Sequence, residues 1–273
     1  MVPSWQRNKK LQTMDNELRQ KGFSLTEVLL AVGTLAIGML FIAGTFLAGV
    51  HFTTIATERT IAAVTADEAF AKIKLYAIGN PLDPNDGIDL NRLNPSNLMY
   101  INDVLRVPIA FSEFAYPSTR TNPEEKQYYW SALCRRVAPD PNRSVQVTVF
   151  VCRKVGASTK YRNPADPCNP AVAVDYPMPV RVGVSGAVGS NVLNIENIEN
   201  ISWINDGYTI VENTTGDKYR VLERVESQPG IFNRIILDKP WLGGQSGSVW
   251  VVPPSITGSR GPCIVVYQTV LRF

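Results

Sequence analysis

"RQKGFSLTEVLLAVGTLAIGMLFIAG", residues 19–44, decides how the rest of the chain is read. From Val28 to Val50 no charged residue occurs over 23 positions. At a helical rise of about 1.5 Å per residue, such a run crosses a hydrocarbon core of roughly 30 Å with some tilt. The residues before it are basic: Arg7, Lys9, Lys10, Arg19 and Lys21 stand against Asp15 and Glu17. Positive charge beside a span stays on the cytoplasmic side. The pattern therefore predicts a single pass through a membrane, with the N-terminus on the cytoplasmic side and everything after about His51 outside. The same cluster accounts for the whole formal charge of +3, which leaves the rest of the chain near neutral. The basic excess is a topology signal, and it gives no reason to expect a nucleic-acid partner.

A cleaved signal peptide has a shorter apolar region followed by an Ala-x-Ala-like site. Here the first literal one is Ala69–Ala71, far downstream. A plain membrane anchor explains the length of the run but not Glu27, a carboxylate almost at its head. Two readings of Glu27 stand side by side. In the first, Ser24 caps the helix and Glu27, three residues on, reaches back to the Ser24 amide as a capping box. In the second, the charge waits for a partner. A carboxylate in hydrocarbon costs a few kcal/mol unless it is paired.

The residues Lys21-Gly22-Phe23, with Glu27 and the apolar run behind them, resemble the N-terminus of bacterial type IV prepilins and type II secretion pseudopilins. The text from Glu27 to Gly44 is most similar to the minor-pilin and minor-pseudopilin branch. The resemblance covers about residues 21–50. It implies cleavage after Gly22 by a prepilin peptidase that also methylates the new N-terminus at Phe23. It further implies that Glu27 of one subunit meets the Phe23 amine of another as pilin or pseudopilin subunits stack into a filament. The leader of 22 residues is long for that family, and Met14 is an alternative start. No proline interrupts the apolar helix, where many pilins have one. Gly33, Gly38, Gly44 and Gly49 supply either local flexibility or close helix packing.

Beyond the span, Ile55, Ala62, Ala66, Ala69, Ile73 and Tyr76 fall on one helical stripe, with Arg59 interrupting a free coiled-coil seam. Gly79-Asn80-Pro81 combines a C-cap with a breaker, so the helix should end near residue 78. "NPLDPNDGIDLNRLNP" (80–95) is turn-rich. Its acidic spacing is off by one from a calcium loop, and Asx-turn chemistry accounts for Asp83, Asn85, Asp86 and Asp89. "QYYWSALCRRV" and "SVQVTVFVCRKV" read as a β-hairpin about "APDPNRS". Pairing about that turn places Cys152 near Trp130 and Cys134 near Thr148, with the two cysteines on one face. From about residue 180, short strands such as "GYTIVEN", "KYRVLERV", "NRIILDK", "SVWVVP" and "CIVVYQTVLRF" alternate with polar turns, the pattern of a small barrel or sandwich.

The expected fold class is thus α+β: a long N-terminal α-helix, transmembrane in its first half and amphipathic in its second, followed by a β-rich globular region. The boundaries read as a leader at 1–22, a helix at 23–78, a first globular region at 79–179 and a β-rich C-terminal region at 180–273.

Cys134, Cys152, Cys168 and Cys263 are even in number and all follow the span, which favours disulfides in an oxidising compartment over zinc or buried thiols. Cys152 with Cys168, across a loop rich in proline, is the slightly preferred pair. No metal or cofactor is expected. His51 is the only histidine and sits at the membrane exit, and neither a P-loop nor a dinucleotide glycine pattern occurs. Arg135-Arg136 and Arg153-Lys154 read as solvent-facing strand-end doublets. An enzyme is not expected. The competing expectation is a single-pass anchored envelope protein whose β-rich outer domain binds a ligand.

Overall fold

The computed structural model describes residues 23–79, 87–120, 122, 125–137, 144–156, 158–226, 233–258 and 261–273. The chain divides into two compact units, Met1–Ala56 and Thr57–Phe273. Helix α1, Leu25–Ile78, gives its first part to one unit and its last part to the other.

In the first unit the apolar run is helical throughout and its large side chains are exposed. It is long and apolar enough to cross a membrane. Polar groups inside it are satisfied locally. The Thr34 and Thr45 hydroxyls donate to the carbonyls of Ala31 (3.0 Å) and Ile42 (2.9 Å), which keeps them bonded without water. A Cβ placed on Gly33, Gly38, Gly44 or Gly49 would meet nothing within 4 Å among the described residues. Packing against those residues therefore does not require these glycines.

The second unit begins with the rest of α1, which ends at Ile78. Gly79 then takes φ 61° and its amide donates to the Leu75 carbonyl at 3.3 Å, closing the last turn in the left-handed conformation that glycine adopts without penalty. Behind it comes a five-stranded antiparallel sheet. Strands β3 (Tyr128–Arg136) and β4 (Ser144–Arg153) form its central hairpin. The short strands β1 (Met99–Tyr100) and β2 (Ala115–Tyr116) both pair with β3.

The next six strands close into an antiparallel barrel: β5 (Val180–Ser185), β6 (Val192–Ile195), β7 (Thr209–Glu212), β8 (Lys218–Val225), β9 (Arg234–Leu237) and β10 (Ser246–Val251). Its order is β10-β5-β6-β9-β8-β7, with β10 pairing back to β7. Alternation drives this closure. Val180, Val182 and Val184 point inward from β5, Tyr219 and Val221 from β8, and they meet Trp203, Trp241 and Val249 in a core of their own. The last strand, β11 (Cys263–Arg272), leaves the barrel and pairs with β4 along its whole length. The barrel is therefore an insertion between two neighbouring strands of the sheet.

Both faces of the sheet are covered, which explains why β4 reads as a nearly continuous apolar run. One face carries Trp130, Ala132, Cys134, Val145, Val147, Val149 and Val151 against the stripe Ala62, Ala66, Ala69, Ile73 and Ala77 of α1. The alanines bring the helix axis close, and Ile73 fills the remaining space. Lys72, beside this stripe, bridges Glu68 (2.9 Å) and Glu113 (2.7 Å), and Arg153 pairs with Glu58. The other face, with Leu133, Phe150, Cys152 and Val266, packs against Val211, Trp250 and Val252 of the barrel side. Trp250 donates its indole N–H to Asn213 at 2.8 Å, and Asn213 donates in turn to Asn97 at 2.6 Å.

The hairpin register differs from the expectation by one residue. Cys134 pairs with Val147 and Cys152 with Tyr129, so the two cysteines lie on opposite faces and not on one. Side chains alternate with period two, so a slip of one residue moves a whole strand's set to the other face. Residues 138–143, within the stretch read from the sequence as the turn, lie outside the described residues. Arg135 is also not simply solvent-facing. Its Nε donates to Gln146 at 2.6 Å and an Nη to the Thr214 carbonyl at 2.5 Å, tying the sheet to the barrel turn, and this burial lowers its pKa.

Candidate functional site

The head of α1 gathers the residues on which the sequence reading rests. Ser24 is the cap: its carbonyl accepts from the Glu27 amide (3.0 Å) and the Val28 amide (3.1 Å), and its hydroxyl accepts from the Thr26 amide (3.3 Å). The return half of the capping box is not made. Among the described residues the Glu27 carboxylate has no hydrogen bond to the Ser24 amide and no ion pair. Phe23 is 81% exposed. Together with Glu27, Val28, Ala31, Val32 and Leu35 it lines a shallow groove along one side of the helix. These positions recur at intervals of three, four and one, so they share one face. That face is apolar except for Glu27. Gly22 and the rest of the leader lie outside the described residues, as do Asp83, Asn85 and Asp86 of the connector.

The four cysteines separate into three environments. Cys134 is fully buried; its thiol lies 3.6 Å from the Met99 carbonyl, and burial raises its pKa far above the ordinary thiol range. Cys168 is exposed on the loop before β5. Cys152 is fully buried near the end of β4, and Cys263, half-buried, opens β11 directly opposite it in the ladder. Thus Cys263, not Cys168, faces Cys152. No disulfide is present among the described residues. No group of three or more His, Cys, Asp or Glu stands together there to hold a metal ion.

A second concave site lies beside the sheet. A cleft of about 500 Å³ is walled by Tyr100, Phe111, Phe114, Trp130 and Tyr176, with Asp103 at its rim. Four of the rings are in contact in pairs: Phe114 lies 4.6 Å from Trp130, and Phe111 lies 5.5 Å from Tyr176 and 6.4 Å from Phe114 between centroids. Burial raises the pKa of Asp103, and it pushes Tyr176 up to about 12. Sequence reasoning missed this cleft because its walls come from segments scattered between residues 100 and 178.

No family model, no curated protein and no solved structure matches the chain.

Proposed function

We propose that this chain is a structural subunit of a type IV pilus or type II secretion pseudopilus, of the minor or tip-located kind. In this reading a prepilin peptidase removes residues 1–22 and methylates Phe23. The segment 23–50 then spans the inner membrane until the subunit enters a filament, with the β-rich part on the far side.

The single observation that carries the proposal is Glu27. It sits on an exposed, otherwise apolar helix face beside Phe23, and its carboxylate has no partner among the described residues. A helix cap would use that carboxylate on Ser24, and here only the Ser24 half of the cap is formed. A charge left unpaired on a membrane-length helix is costly in the single subunit, and a cation from a neighbour relieves that cost. The amine created at Phe23 by cleavage is such a cation. The pair would form between subunits and set their axial register, while the open glycines at 33, 38, 44 and 49 let helix backbones approach.

Glu27→Gln tests this, since it keeps shape and removes charge. The subunit should accumulate in the membrane at normal levels and fail to co-purify or cross-link with other filament subunits. Normal incorporation of the variant would defeat the pairing mechanism.

A second reading draws on the aromatic cleft. A membrane-anchored envelope protein that binds an apolar or ring-shaped ligand through Tyr100, Phe111, Trp130 and Tyr176 would keep its leader and be indifferent to Glu27→Gln.

A further inference from the structure

The barrel leaves the sheet after β4 and the chain returns to the sheet at β11, so the two strands that flank the insertion are neighbours. Cys152 is the penultimate residue of β4 and Cys263 the first of β11, and they are direct partners across the antiparallel ladder. The two thiols are close enough to interact electrostatically, and the Cys263 thiol lies 3.8 Å from the Val265 carbonyl. Directly opposed residues of an antiparallel pair have Cα atoms roughly 4.5–5.5 Å apart, inside the range of about 4.4–6.8 Å that a disulfide spans. Immediately beyond the pair, the Arg153 amide donates to the Pro262 carbonyl at 2.8 Å, which holds the strand ends together. Immediately inside it, the register shifts between Cys263 and Val265, a β-bulge of the kind that re-aims a side chain at a strand end.

From this geometry we infer that Cys152 and Cys263 form a disulfide that closes the root of the barrel insertion. The inference rests on the proposed function in one respect: residues after the span must lie in an oxidising compartment. The reaction is a thiol–disulfide exchange. Cys263 is half-buried and opens to a cleft lined by Asp206, Tyr208, Thr209 and Gly261, so it is the thiol that an external disulfide reaches. Its thiolate attacks one sulfur of that oxidant, a protein or small-molecule disulfide, and expels the other as a thiol. Cys152, deprotonated in the second step, then displaces the remaining oxidant sulfur from Cys263. Two cysteine thiols lose two electrons and two protons, and the oxidant's disulfide is reduced to two thiols. Cys134 takes no part, since its ladder partners are Met99 and Val147.

The bond encloses the whole barrel in one covalent loop, so its loss releases a long segment in the unfolded chain. Reduction should lower the midpoint of thermal unfolding by about 10 °C, with no change in Cys263→Ser, which already lacks the bond.

The test uses the full chain extracted from its native membrane with N-ethylmaleimide present at lysis, followed by non-reducing digestion and mass spectrometry. A linked peptide pair holding Cys152 and Cys263 is expected. A second sample, reduced in detergent and then equilibrated with oxidised and reduced glutathione, should give the same linked pair. Recovery of both residues as separate alkylated thiols in both samples would overturn the inference, as would a bond from Cys152 to Cys168. A bond that forms in glutathione and is absent from the membrane sample would support the pair and instead refute the topology on which the proposed function depends.

Discussion

Ile73 and Leu75 are two residues apart on α1 and both are large and apolar, yet the fold predicts opposite consequences for truncating them. Ile73 is 0% exposed and closes the space between the helix and the sheet, while Leu75 is 71% exposed. Replacing a fully buried Ile by Ala removes its transfer free energy and leaves a cavity, a cost of about 2–5 kcal/mol. The neighbours of Ile73 lie in a β-sheet that cannot collapse far without breaking its ladder, which places the expected cost near the middle, about 3–4 kcal/mol. For a unit of this size that lowers the unfolding midpoint by about 10 °C. Ile73→Val, which keeps most of the volume, should cost about 1 kcal/mol. Leu75→Ala removes little packed surface and should stay within about 0.5 kcal/mol of the parent. The assay is urea or thermal unfolding of the full chain in mild detergent, followed by tryptophan fluorescence, because Trp130 belongs to the same apolar cluster as Ile73. Equal losses for Ile73→Ala and Leu75→Ala would refute the packing of this helix face on the sheet. So would a loss below about 1 kcal/mol for Ile73→Ala.

Three further outcomes are expected. Gly87 has φ +87°, and a Cβ there would lie 2.9 Å from the Ala77 carbonyl oxygen. Gly87→Ala should therefore destabilise by more than about 1 kcal/mol in the same unfolding assay. Burial works to lower the pKa of Lys72, but the hydrogen bonds and charges of Glu113 and Glu68 outweigh it and leave the pKa raised above the ordinary 10.5. The stabilisation is thus fully present below 10.5 and is lost as the pH climbs through the raised value; Lys72→Met should remove that alkaline slope in unfolding curves measured across pH. Finally, Cys134 is buried and its thiol is held protonated, so it should resist alkylation in the folded chain and label promptly in denaturant, as peptide mass mapping would report.

Much of the fold was legible in the sequence because its signals are local. An uncharged run of 23 residues can only be a long helix or a buried one, and Gly79 carries its own reason to end the turn. Four of the six barrel strands, Thr209–Glu212, Lys218–Val225, Arg234–Leu237 and Ser246–Val251, overlap stretches that read as strands, whereas Val180–Ser185 and Val192–Ile195 are not among those stretches. What the pattern could not supply was partnership. "CIVVYQTVLRF" alternates like the barrel strands that precede it, yet it pairs with β4 across the intervening barrel, a choice set by long-range packing. The hairpin register slipped for a related reason, since one residue more or less in the turn reverses every face. The unread partnership of β11 with β4 also hid the Cys152–Cys263 pair, because a cross-strand neighbour cannot be found before its strand is placed. Within the candidate site, Phe23 and Glu27 were visible as a spacing along the chain. The open face they share, and the missing return bond to Ser24, depend on side-chain placement in the folded helix, which spacing alone does not give.

The proposed function requires that the leader is removed, which frees the Phe23 amine to meet Glu27 of a neighbour. Intact-mass and N-terminal peptide mass spectrometry on the protein from its native membrane reads that step without further assumption. A chain that begins at Phe23 and carries one added methyl group is expected. A chain that still contains Gly22 and the residues before it would refute the processing and leave a simple membrane anchor.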